Sequence, residues 1–179
     1  MIKLALIVFA LLALVVLVVV VIGTRLPQAH VIARSVALKQ PREAVYALIS
    51  DLAQAPAWRG EVESVEVMQG DSGETLYREK SRHGVLTYRI DRSDPPQKFV
   101  TTIVDKDAPF GGSWIFELAD ASGGTRLTIT ERGEVYNPIF RFMAKYVFGH
   151  HRTMEVYLAR LMRRFGETPL VAEGRPGEK

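Results

Sequence analysis

The chain has 179 residues, with 23 Lys and Arg against 20 Asp and Glu and no Cys. A thiol nucleophile, a disulfide framework and a Cys zinc site are therefore excluded. Its scattered, nearly balanced charge is not the footprint of a nucleic-acid binder.

Leu4 to Ile22 is an unbroken apolar run without a charge. Such a run, about 19 residues long, spans about 28 Å as a helix, against a hydrocarbon core of ~30 Å. A cleaved signal peptide has a shorter apolar region of about 7–15 residues. Val21-Ile22-Gly23 is a weak cleavage site. The expectation is an uncleaved transmembrane anchor over residues 1–23, meeting the membrane through residues 4–22. Lys3 precedes the run, and Arg25, Arg34, Lys39 and Arg42 follow it. That count would keep the following domain in the cytoplasm. A very short head before a large domain acts instead as an exporting anchor, and the reading leans to export.

Residues 24–29 read as a linker, with Pro27 blocking helix continuation. His30–Leu38 is rich in β-branched residues and reads as a strand. Gln40-Pro41 opens a helix whose apolar face is Val45, Leu48, Ile49 and Leu52. Asp51–Gly60 is broken by Pro56 and places Trp58 at one end of the core. Six strands follow: Val62–Gln69, Thr75–Ser81, Val85–Ser93, Lys98–Asp105, Ser113–Ala119 and Thr125–Val135. Gly-, Pro- and Asp-rich turns separate them, so neighbours are expected to pair antiparallel.

Asn137-Pro138 then starts a long helix, with Asn as cap and Pro at its first position. Over Asn137–Phe165 one stripe collects Ile139, Met143, Tyr146, His150, Met154, Tyr157 and Leu161. Two Tyr, two Met and a His on a buried face suit the wall of a cavity. They also suit a plain core whose polar tips find partners. Residues 167–179 are polar and rich in Gly and Pro, and are expected to be a disordered tail. The predicted fold is α+β. A curved antiparallel sheet of six to seven strands wraps a long C-terminal helix, behind one transmembrane helix.

In this order and spacing, several segments resemble the START-like (SRPBCC) superfamily, and within it the bacterial polyketide cyclase/dehydrase and lipid-transport group. They are Pro41–Asp51 followed by Trp58, Asp94-Pro95-Pro96 before a strand, Pro109–Trp114, and Thr125–Thr130 before the last helix. The resemblance covers residues 30–166. It implies a helix-grip fold with a central cavity for lipids, sterols, polyketides or other apolar molecules. It implies no particular reaction. The anchor in front departs from the simplest soluble members and favours work at the membrane.

His150 is the best candidate for a polar hook or proton shuttle in the cavity, or else a neutral core His. Glu131 shares parity with Leu127 and Ile129, and Glu79 with Tyr77. Each is a candidate inward base or a plain ion-pair partner. Tyr88, Trp114, Met143, Tyr146, His150, Met154 and Tyr157 are the expected cavity lining, with Phe110 as a gate on a Pro/Gly-rich loop. No metal site, nucleophile elbow, P-loop or dinucleotide fingerprint is present, so no cofactor is expected. The leading expectation is a membrane-anchored binder of a hydrophobic small molecule or lipid. One alternative is a cyclase/dehydratase-type enzyme using His150 with Glu131 or Glu79. Another is a protein-interaction module with a vestigial cavity.

Overall fold

The computed structural model describes residues 1–176. Helix α1, Ile2–Arg25, stands free of the rest of the chain until its last two turns, where Val19 and Val20 are half-buried and Gly23 is buried. Strand β1, Ala29–Leu38, is followed by α2, Arg42–Ser50, a 3₁₀ turn at Leu52–Gln54, and α3, Ala55–Arg59. An antiparallel meander follows: β2 Val62–Gln69, β3 Thr75–Ser81, β4 Gly84–Asp94, β5 Lys98–Ile103, β6 Phe110–Ala121 and β7 Gly124–Val135. β1 pairs with β7 along its whole length, from Ala29↔Glu134 to Leu38↔Thr125. A two-residue strand β8, Ala172–Glu173, pairs with Ser35 and Arg34 at the outer edge of β1. The sheet order is β2-β3-β4-β5-β6-β7-β1-β8. The stretch expected as a tail thus meets the sheet at residues 172–173, and residues 177–179 lie outside the described residues.

The sheet has one strand more than the upper expectation, the short β8, and the boundaries of the meander follow the turn residues. The long last helix is different. It is divided into α4, Pro138–Met143, a π turn over Ala144–Phe148, and α5, Arg152–Arg164. Gly149 has φ 73°, a backbone conformation that side chains disfavour, and the helical phase restarts after it. The single stripe is therefore split. Met154, Tyr157 and Leu161 are buried on α5, whereas Ile139 and Tyr146 are 41% and 58% exposed.

α5 crosses the concave face of the sheet. Met154, Leu158 and Leu161 pack there on Phe99, Phe116, Leu127 and Ile129, with Val45 and Ile49 of α2 closing one end. At the start of α4, the Asn137 side chain accepts from the backbone N–H of Ile139 at 2.9 Å and of Phe140 at 3.3 Å, satisfying two donors of the first turn.

Candidate functional site

Between the concave sheet and the helices lies a cavity of about 960 Å³. Strand alternation aims its side chains. Tyr77 and Glu79 from β3, Leu86 and Tyr88 from β4, and Phe99 and Thr101 from β5 all face it. The cavity runs from a buried polar end near α3 to a mouth bounded by the β3–β4 turn, the β5–β6 loop, α4 and Gly149.

At the inner end, Arg59 projects from the last turn of α3 onto Glu79. Its Nη1 donates to Oε2 at 2.6 Å and its Nη2 to Oε1 at 3.0 Å, a bidentate pair. Burial alone would lower the Arg59 pKa. The Glu79 carboxylate, together with Tyr157 and Tyr88, outweighs it, and the pKa rises. The guanidinium also lies 5.3 Å from the centre of the Tyr157 ring. Tyr77 and Tyr88 stack with ring centroids 4.8 Å apart. Burial pushes the phenols of Tyr77, Tyr88 and Tyr157 well above their usual range, so they remain neutral at any working pH. Glu79 faces inward as its parity predicts, but both its oxygens are engaged by Arg59.

At the mouth, Glu131 also faces inward. Its Oε1 lies 3.0 Å from His30 Nε2, and its Oε2 accepts from Trp114 Nε1 at 2.9 Å. Trp114 and Glu131 are register partners across β6 and β7, which puts both on the same face. Gly133 makes room for His30: a Cβ there would lie 2.4 Å from the imidazole. His150 reaches this group through ring contact, with its centroid 4.1 Å from that of His30. Burial, reinforced by His30, lowers the His150 pKa below its ordinary 6.5. The imidazole is neutral at neutral pH, and both Glu131 oxygens are held by other donors. A direct His150–carboxylate dyad is not formed.

Of the expected lining, Tyr88, Phe110, Trp114, Met143, His150 and Tyr157 do border the cavity. Tyr146 does not. The π turn rotates it outward, where it packs against Phe142 at 5.0 Å between ring centroids. Met154 does not either, because it is fully enclosed in the core beneath α5. Phe110 is the first residue of β6, paired with Val135, and not a loop residue. Arg59, His30 and Tyr77 were not expected as lining. Tyr77 carried a signal, since it lies two residues before Glu79. Arg59 sits on a five-residue helix too short for a periodic pattern.

A curved antiparallel sheet closed by α5 over this aromatic cavity defines the START-like helix-grip fold. The profile of the polyketide cyclase/dehydrase and lipid transport family matches residues 29–166, and the chain belongs to that family. The fold is similar to that of a START superfamily protein from Mycobacterium smegmatis, with a TM-score of 0.58 and 16% identity, covering 75% of this chain and 96% of that one. It is also similar to the Zhui aromatase/cyclase from Streptomyces sp. R1128, with a TM-score of 0.61, 12% identity and coverage of 76% and 93%. The di-domain aromatase/cyclase StfQ of the steffimycin biosynthetic pathway gives a TM-score of 0.60 at 10% identity. That match covers 78% of this chain but only 53% of StfQ, about half its length. No curated protein matches the chain.

Proposed function

We propose that the chain is a membrane-anchored binding protein for a hydrophobic small molecule or lipid. Residues 1–23 form the anchor, 24–29 a linker and 30–166 the binding domain. The observation that carries the reading is the cavity itself. At about 960 Å³, it lies at the upper end of the ~300–1,000 Å³ range of small-molecule sites. Its walls are largely aromatic and aliphatic. Two of its carboxylates already have partners, Glu79 in Arg59 and Glu131 in His30 and Trp114. Apolar burial supplies the affinity at roughly 25 cal/mol per Å², less the ordering costs. The neutral phenols and the neutral His150 orient a hydroxyl or carbonyl. α1 has the length and composition to cross a membrane.

Extraction of the purified full-length chain with organic solvent, followed by mass spectrometry, tests the proposal. An apolar species at near-stoichiometric amount is expected. Preparations that are empty after mild-detergent purification would sink it.

A second reading, an aromatase/cyclase-type enzyme, has one observation in its favour: a neutral His150 beside His30 at the mouth is a usable proton acceptor. Turnover of an aromatic polyketide precursor that falls at least 100-fold in His150→Gln would establish it, whereas turnover unchanged by that substitution would remove His150 from any reaction.

A further inference from the structure

The end of α1 is clamped to α4. Gly23 sits so close to Pro138 that a Cβ at residue 23 would lie 2.0 Å from the Pro138 carbonyl oxygen. Arg141, only 7% exposed, donates from Nη1 to the Leu26 carbonyl at 2.9 Å and from Nη2 to the Tyr136 carbonyl at 3.3 Å. The Val135 N–H bonds the Gln28 carbonyl at 2.9 Å. The linker is thus held against the domain, and the level of α4 relative to α1 is fixed.

That level can be estimated. α1 has 24 residues, about 36 Å at 1.5 Å per residue, against ~30 Å of hydrocarbon. Its last turn, with Gly23 and Arg25, therefore reaches the headgroups when the apolar run fills the core. The headgroup layer is about 5–8 Å deep on each side. α4 has six residues, about 9 Å in length. A helix that short, starting against Gly23, cannot leave the layer by more than a few ångströms.

The side chains agree with that placement. Phe110, Tyr136, Ile139, Phe140, Tyr146 and Val147 are exposed large hydrophobics at this one end of the domain. Lys145, exposed beside them, lies 5.9 Å from the centre of the Tyr146 ring. Aromatic rings with a basic neighbour are the composition of the bilayer interface. The β3–β4 turn, with exposed Val85, belongs to the same end, because successive turns of a meander alternate between the two ends of its sheet. The opposite end, with the turns at Gly70–Gly73 and Ser122–Gly124, carries small and polar residues. Phe110, Phe140, Met143 and Ala144 also line the cavity.

We infer that α4 and the π turn Ala144–Phe148 lie in the headgroup layer, so that the cavity mouth opens onto the bilayer itself. The inference rests on the membrane-anchored function proposed above and names the route of its ligand. A bilayer-resident amphiphile passes between α4 and the β5–β6 loop without crossing water.

The chain lacks Cys, so single labels are simple to place. Val147→Cys and Tyr146→Cys put a bimane on the π turn. Ser122→Cys puts one on the β6–β7 turn, at the far end of a 12-residue strand, about 40 Å away. Each full-length variant is reconstituted in phosphatidylcholine vesicles containing doxyl-phosphatidylcholine. At least threefold quenching at 147 and 146, with none at 122, is expected. Protein that floats with the vesicles but shows unquenched labels at 146 and 147, or equal quenching at all three sites, overturns the inference and leaves the anchor standing. Protein that fails to float overturns both. Solvent extraction of the same preparation reads the ligand separately: quenching over an empty cavity keeps the membrane contact and removes the proposed binding function.

Discussion

Arg59 and Glu79 face each other across the inner end of the cavity with two parallel hydrogen bonds of 2.6 and 3.0 Å. Their side chains are 18% and 9% exposed. Removing one member of a buried pair leaves an uncompensated charge, which typically costs about 3–5 kcal/mol. Glu79→Leu and Arg59→Met should each lose stability on that scale in urea unfolding. The double variant Arg59→Met/Glu79→Leu should recover most of the loss, because both charges then leave together. A double variant as unstable as the sum of the singles would show that the two residues act independently.

His150 gives a pH prediction with a definite sign. Burial, then His30, lowers its pKa in the folded state, with Glu131 opposing and His151 and Lys145 adding to the lowering. Between the lowered folded pKa and the unfolded value near 6.5, the unfolded chain binds more protons. Stability therefore falls as the pH drops below about 6.5, and rises again as the pH is raised. His150→Gln removes the group, so its melting temperature should decline less than that of the wild type between pH 7.5 and 5.5. An equal or steeper decline in the variant would contradict the assignment.

Alternation and turn chemistry locate β2 and β3 to the residue, because the turn at Gly70–Gly73 separates them and, in β3, buried Tyr77 and Glu79 alternate with exposed Arg78 and Lys80. Parity likewise aims Glu79 and Glu131 inward. Local pattern says nothing of what meets them there. Arg59 lies 20 residues before Glu79 in the chain, and His30 lies 101 residues before Glu131. The break at Gly149 is hidden for another reason. The apolar spacing of Asn137–Phe165 is continuous, and one glycine in a periodic stretch gives no local sign that its φ will be positive. Extending a single helical phase from Asn137 to Phe165, across the π turn at Ala144–Phe148 as well as Gly149, assigns Tyr146 to the cavity and overlooks Arg141. Arg141 is polar in the pattern but buried in the structure, because carbonyls of the linker and of Tyr136 receive its charge.

The clamp between α1 and α4 predicts a local effect. Gly23→Val adds a branched side chain where even a Cβ meets the Pro138 carbonyl. Overpacking of this kind costs about 1–3 kcal/mol, here confined to the junction. Arg141→Met leaves the Leu26 and Tyr136 carbonyls without their donor. Both variants should be cut by trypsin after Arg25 at least fivefold faster than the wild type, in detergent, with the cavity ligand unchanged. Unchanged cleavage in both would mean that the linker is free in the wild type.

The cavity can be filled from within. Leu86 on β4 borders it and is half-buried, whereas Val67 on β2 is 54% exposed and borders no part of it. An indole at residue 86 grows into empty volume, so the folded state should accept it within about 1–3 kcal/mol while the space for an acyl or polyketide chain shrinks. Leu86→Trp should retain at most a tenth of the co-purifying apolar ligand, and Val67→Trp should retain all of it, as read by mass spectrometry of matched preparations. Both should remain folded by circular dichroism, which separates occlusion from collapse. Equal ligand in both variants would move the binding site away from the space between sheet and α5. The Trp114 and Tyr157 rings, 5.5 Å apart between centroids on the wall of that space, would then be core packing alone.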